Sequence, residues 1–231
     1  MSKLSQYKKL NVRKAVTLIP AGRRPTGEPL ESNFGMTALA APGEEWPSQN
    51  DDPMLLVFQM NLSNAPEVPS LLKDIQLITF FVKAEDGIWP EEEGGDWVLR
   101  AYKSLDGLVP LQRPASLATR RRGFEARWQV ADDYPAHGDP GAVLPKGFDE
   151  DELDEAELET LPQTKIGGWP EHVQSEPWWD YRAHAADPKY CLQIASELKA
   201  GFQWGDGGVI LIARGTAPGT EEQWFLDCQS Y

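Results

Sequence analysis

The same order of motifs runs through this chain twice, and that repetition constrains its fold more than any other feature. SNFG (residues 32–35) leads through EEWP to three apolar runs, LLVFQMNL (55–62), IQLITFFV (75–82) and DWVLRAY (96–102). TKIGG (164–168) leads through EPWW to YCLQIAS (190–196), GVILIAR (208–214) and QWFLDCQSY (223–231). The alignment pairs Phe34 and Gly35 with Ile166 and Gly167, Gln59 with Gln193, and Trp97 with Trp224. Two similar halves follow: residues 1–148 as the N-terminal half of one duplicated domain, 149–163 as an acidic connector, and 164–231 as the C-terminal half.

The repeated runs are rich in β-branched and aromatic residues and bounded by Pro, Gly and Asp, as strands are. IQLITFFV is almost wholly apolar and reads as a strand covered on both faces, whereas VTLI (16–19) and FEARWQV (124–130) read as half-buried strands. Helix is expected in short pieces, near residues 2–10, 68–73, 149–159 and 196–200. The predicted class is α+β, with mainly antiparallel sheets built from two similar halves and few short helices.

Charge divides the chain unevenly. Residues 1–148 carry 17 basic and 19 acidic side chains, a balance of −2, while residues 149–231 carry 5 and 17, a balance of −12. Such a field repels nucleic-acid phosphates and draws basic partners. Two basic spots oppose it, the first 24 residues with seven basic side chains and Arg120, Arg121 and Arg122, and neither interleaves aromatics as single-strand binders do. No apolar run approaches the roughly 20 residues of a membrane helix, and the N-terminus lacks a signal-like cleavage site, so a cytoplasmic protein is expected. Cys191 and Cys228 lie in apolar surroundings at no metal-motif spacing and read as buried free thiols.

Three places in the sequence hold residues that could carry chemistry. WGDGG (204–208) precedes an apolar run, not a helix, so it reads as a turn into a strand, with Trp204 packing and Asp206 facing outward. His172 and His184, with Glu171, Glu176 and Asp180 nearby, match no zinc signature. Gln59 and Gln193 each interrupt an apolar strand at the same position of the repeat. Each ties its strand to a loop, or the pair lines a cleft between the halves together with Trp204 and Asp206. No cofactor and no enzymatic activity are expected.

KIGGWPEHVQ (165–174), YCLQIAS, WGDGGVILIA (204–213) and the terminal WFLDCQSY (224–231) together resemble the YwqG-like family of bacterial proteins, a domain of unknown function. In the first half, SNFGMTALAAPGEEWP keeps part of that pattern, with Met36 where a second glycine is typical. The resemblance implies a duplicated fold without established catalysis and an immunity role, because members often occur beside toxin genes. The expected partner is one cognate protein, a basic toxin domain. Its candidate contacts are the acids Asp149, Glu150, Asp151, Glu152, Asp154 and Glu155, then Glu171, Gln174, Glu176 and Asp180, with an aromatic anchor among Trp169, Trp178 and Trp179. The alternative is a small-ligand-binding protein or metal-dependent enzyme using a cleft between the halves, near Gln193, His172 and Asp206.

Overall fold

The computed structural model of the chain describes residues 2–83, 90–91, 93–117, 123–136, 138–148 and 158–231. The candidate acids at 149–155, most of the acidic stretch expected to be helical, Arg120 to Arg122 and His137 lie outside the described residues.

After an N-terminal helix, Lys3–Asn11, capped by the Ser2 hydroxyl accepting the Ser5 N–H at 3.1 Å, the chain is built from strands. They are β1 (Arg13–Pro20), β2 (Asn33–Phe34), β3 (Leu39–Ala40), β4 (Ser48–Gln49), β5 (Asp52–Pro53), β6 (Leu55–Asn61) and β7 (Leu77–Val82). There follow β8 (Trp97–Tyr102), β9 (Val109–Pro110), β10 (Phe124–Asp133), β11 (Lys165–Gly167), β12 (Lys189–Ala195), β13 (Val209–Arg214) and β14 (Trp224–Gln229). β3 pairs with β9 and β4 with β5 in small ribbons; the other ten strands form one sheet.

That sheet corrects the expected class. Among the described residues 35% are in strands and 11% in helices, and the large sheet is antiparallel and nearly closed, like a barrel, so the fold is largely β and not α+β in two halves. Its order is β14, β13, β12, β11, β1, β10, β2, β6, β7, β8. The physical reason is an exchange of first strands. β1 precedes β2 in sequence but pairs with β11, and β10 precedes β11 but pairs with β2, while β1 and β10 pair with each other over eight residues. Neither repeat therefore completes a sheet of its own.

Register within this sheet matches residue for residue. Gln59 lies opposite Asn33 and Gln193 opposite Lys165; Val82 lies opposite Trp97 and Arg214 opposite Trp224. Even the bulges coincide, one between Leu56 and Phe58 and the other between Tyr190 and Leu192. Because side chains alternate across a sheet, each central strand feeds two layers. Ile78, Phe80 and Val82 of β7 and Ile210 and Ile212 of β13 enter one inner core shared by both repeats, where Phe34 and Phe202 stand 6.0 Å apart. On the outer side, Phe81 packs with Ala38, Met54 and Leu56, while Val209, Leu211 and Ala213 pack under Trp179 from a short helix, Trp178–Tyr181. Full cover on both faces explains why β7 and β13 read as almost wholly apolar runs.

The edge strands β8 and β14 approach at one end, where polar groups tie the repeats together. Arg214 donates to both carboxylate oxygens of Asp74, at 2.6 and 2.8 Å, and Lys103 pairs with Glu222 at 2.5 Å. WGDGG forms the turn into β13: the Gly208 N–H donates to the Trp204 carbonyl at 2.7 Å, and Gly207 has φ +76°. A Cβ on Gly208 would lie 1.8 Å from the Gln229 carbonyl oxygen, whereas one on Gly207 meets nothing within 4 Å. The two glycines answer different constraints, close approach and backbone sign. Gly207→Ala is expected to cost about 1–2 kcal/mol from its left-handed φ, and Gly208→Ala roughly 3 kcal/mol from overpacking against β14. Urea unfolding of the two variants separates these costs.

Candidate functional site

Two buried amides fasten the outer loops in the same way in both repeats. Gln59 accepts the Leu39 N–H at 2.7 Å and donates to the carbonyls of Pro29 and Glu31 at 2.8 and 3.0 Å. Gln193 accepts the Glu171 N–H at 2.9 Å and donates to Leu161 and Gln163 at 3.2 Å each. Both are fully buried with oxygen and nitrogen engaged. Leaving such groups unpaired would cost about 1–3 kcal/mol. The sequence alternatives thus resolve toward loop fasteners.

Next to Gln193 the repeats diverge. At the register position of Asn33 stands Lys165, whose ammonium is wholly buried and contacts Asp133 Oδ2 at 2.9 Å and the Leu161 carbonyl at 2.8 Å. Asp133, at the end of β10, also accepts the N–H groups of Leu161 at 2.8 Å and Trp169 at 2.7 Å. In the first repeat a neutral side chain does the corresponding work, Asn33 Oδ1 accepting the N–H groups of Met36 and Thr37 at 3.0 Å each. Burial pulls the Lys165 ammonium below its ordinary pKa against the attraction of Asp133. Burial likewise lifts the Glu171 carboxyl, with Lys165 opposing. Gly168 is required here because a Cβ would lie 2.2 Å from Asp133 Oδ2.

Outside this anchor, on the outer face of the sheet, lies a cavity of about 530 Å³. Its walls come from β1 (Arg13), the 3₁₀ turn Ser70–Leu72, the turn at 139–141, the Gly167 to Pro170 segment, His172, Glu176, Asp180 and the start of β12. Trp169 is locked in place: its indole N–H donates to the Asn11 carbonyl at 2.7 Å, and the Arg13 guanidinium stacks on its ring 3.3 Å from the centroid. Asp139 Oδ1 accepts the Gly141 N–H at 2.7 Å. Its Oδ2 has no hydrogen-bond partner and stands 3.7 Å from His172 Nδ1, and the buried His172 Nε2 is also unpartnered. Partial burial lifts the Asp180 carboxyl above its ordinary range, with His172 opposing and Glu176 reinforcing. Among the described residues no group of three His, Cys, Asp or Glu converges to hold a metal.

Of the residues singled out from sequence, the cavity gathers Trp169, Glu176 and Asp180 with His172. Gln174 is exposed, and Glu171 is half-buried within reach of Gln193 Nε2 at 3.2 Å. Trp179 is buried, and Trp178 packs beside it with its indole N–H on the Leu226 carbonyl at 3.0 Å. Trp204 is buried against Phe202, and Asp206 is exposed in its turn. None of Gln59, Gln193, Trp204 and Asp206 lies on the wall of this cavity. Arg13, Asp133, Asp139 and Lys165 escaped the sequence reading as site residues. Their signals were weak: Lys165 opens the KIGG motif, and Asp139 sits in a Gly-Asp-Pro-Gly turn (138–141).

Removing one member of the buried pair gives the sharpest stability test. Lys165→Met is expected to lose about 3–5 kcal/mol, because Asp133 stays buried without its counter-charge, as read by urea unfolding. Cys191, on the cavity wall, is pushed by burial up to about 12 from 9.0, so it is a protonated, unreactive thiol near neutrality. The unfolded thiol ionises first as pH rises, so its contribution to stability is full below pH 9 and is lost toward pH 12. The decline in unfolding midpoint between those limits is expected to be shallower in Cys191→Ala than in the parent.

Among the described residues no helix is long and apolar enough to cross a membrane. No curated protein matches the chain. A family model described as a domain of unknown function, DUF1963, matches residues 32–213, most of the chain. The glycine pair of KIGG, the two fastening glutamines and the WGDGG turn all fall within that span, and the chain belongs to the DUF1963 family.

Proposed function

We propose that this protein works by binding, as an immunity protein that neutralises a basic bacterial toxin domain through direct contact. The observation that carries the reading is the division of charge, −12 on residues 149–231 against −2 on the rest. A surface of that sign speeds the encounter with a basic partner and orients it, more than it sets the final affinity. The described part of this surface includes Glu176 and Asp180 at the cavity, with Tyr181 beside them 59% exposed. Trp169, Trp178 and Trp179 are committed to packing, so Tyr181 takes the place of the aromatic anchor that interfaces favour.

The test is affinity capture of the tagged protein from its native cells, at low and high salt, beside a variant carrying Asp151→Ser, Glu152→Ser, Asp154→Ser and Glu155→Ser. One stoichiometric basic protein is expected, retained at low salt, weakened at high salt and weakened in the variant. Capture of no protein, or of one indifferent to salt and to the four substitutions, would overturn the reading.

A further inference from the structure

We propose that the outer-face cavity is a binding site for a small zwitterion of the free amino-acid type, with its ammonium at Asp139 and its carboxylate at Arg13. This inference stands apart from the immunity reading and does not depend on it.

The cation subsite rests on Asp139. Its side chain is 5% exposed, Oδ1 is held by the Gly141 N–H, and Oδ2 has no partner although it belongs to the wall of an open cavity. A buried carboxylate oxygen left unpaired is costly, and ligand sites are where such groups persist. His172 is too far, at 3.7 Å, to satisfy it with a normal hydrogen bond. His172 Nε2, buried and unpartnered on the same wall, supplies a second polar atom, and Asp180 and Glu176 add negative charge nearby.

The anion subsite rests on Arg13. Stacking on Trp169 fixes the guanidinium plane by its face, and neither a hydrogen bond nor an ion pair with another described residue occupies its in-plane donors. That leaves the fork free for a bidentate carboxylate. Lys189, the other cation of the wall, is already paired with Asp187 at 2.8 Å. A purely cationic ligand at Asp139 would face Arg13, and a purely anionic one at Arg13 would face Asp139, Glu176 and Asp180. A molecule with both charges satisfies both subsites. The volume, about 530 Å³, is within the range of small-molecule sites and takes an amino acid with room to spare.

Isothermal titration and thermal-shift assays on the full chain, with the standard L-amino acids as probes, test the assignment. At least one is expected to bind at a single site. Its amide, lacking the carboxylate, and its N-acetyl derivative, lacking the ammonium, should each bind at least about tenfold more weakly, as loss of one charged hydrogen bond implies. Asp139→Asn and Arg13→Gln should weaken the amino acid similarly. Asp139→Asn keeps the acceptor for the Gly141 N–H, so its urea midpoint should match the parent, while Arg13→Gln gives up the stack on Trp169 and should lower its midpoint only slightly, leaving a folded protein for the titration. Should Asp139→Asn fail to fold, Arg13→Gln with the two derivatives still decides. The proposal is overturned if no amino acid binds, if the amide or N-acetyl derivative binds as well as the parent amino acid, or if binding survives the substitutions.

Discussion

The ladder between β1 and β10 is the constraint on which everything else in this molecule rests. It pairs Arg13 with Asp133 at one end and Pro20 with Ala126 at the other, and it delivers each repeat's first strand to the opposite repeat. Equivalent hydrogen bonds on its two sides, Leu18 N–H to the Thr164 carbonyl at 2.8 Å and Ala126 N–H to the Ser32 carbonyl at 3.0 Å, show how symmetric the handover is. Severing the chain into halves would expose both edges of the exchange, and exposed edges are templates for mispairing. The inner core follows the same logic. Val16 and Leu18 from β1 pack in one cluster with Phe58, Ile78, Leu192 and Ile210, so neither repeat owns a separate hydrophobic centre.

Symmetry breaks on the outer face, and the break is chemical. One repeat positions its turn with a neutral amide, Asn33, and the other with the buried Lys165–Asp133 pair. A buried ion pair is weak evidence for stability, because desolvation offsets most of the attraction. Its persistence here is better understood through what it holds: Trp169, whose N–H it anchors and whose ring carries Arg13. Size compensates at the same positions. Met36 presses on Gly123, where a Cβ would meet it at 2.4 Å, and in the other repeat Gly168 yields to Ala15 and Asp133. The small and large residues have traded places across equivalent contacts.

Much of the strand layout was legible from composition and repetition. The runs at 75–82 and 208–214 fall on β7 and β13, and the matched glutamines stand at matching register positions, because local apolar patterning and turn residues determine both. Strand order was not legible. That β1 crosses to β11 depends on residues some 150 positions apart in sequence, and no local signal encodes it. The expectation of two halves failed for that reason. The short helix at Trp178–Tyr181 also escaped, since four residues are too few to carry a period. The candidate site was legible in pieces: Trp169, Glu176 and Asp180 were singled out, but Arg13 and Asp139 join them through the sheet and a tight turn, not through sequence spacing.

The division between shared interior and divergent exterior also says where function belongs in a duplicated fold. Most inward positions are apolar in both repeats, Ile78 answering Ile210 and Phe80 answering Ile212, because the common core must be filled from two sides at once. Outward positions need only cover, and the repeats find it differently: the segment around Ala38 and Met54 over β7, the tryptophan helix over β13. Freed from the demands of packing symmetry, the outer face of the C-terminal repeat could accumulate charge without loss of the sheet. The cavity lies there, walled by groups whose first-repeat counterparts include Met36 and Thr37 where it has Gly168 and Trp169. Duplication thus supplied the scaffold twice, and one copy's exterior was left to specialise.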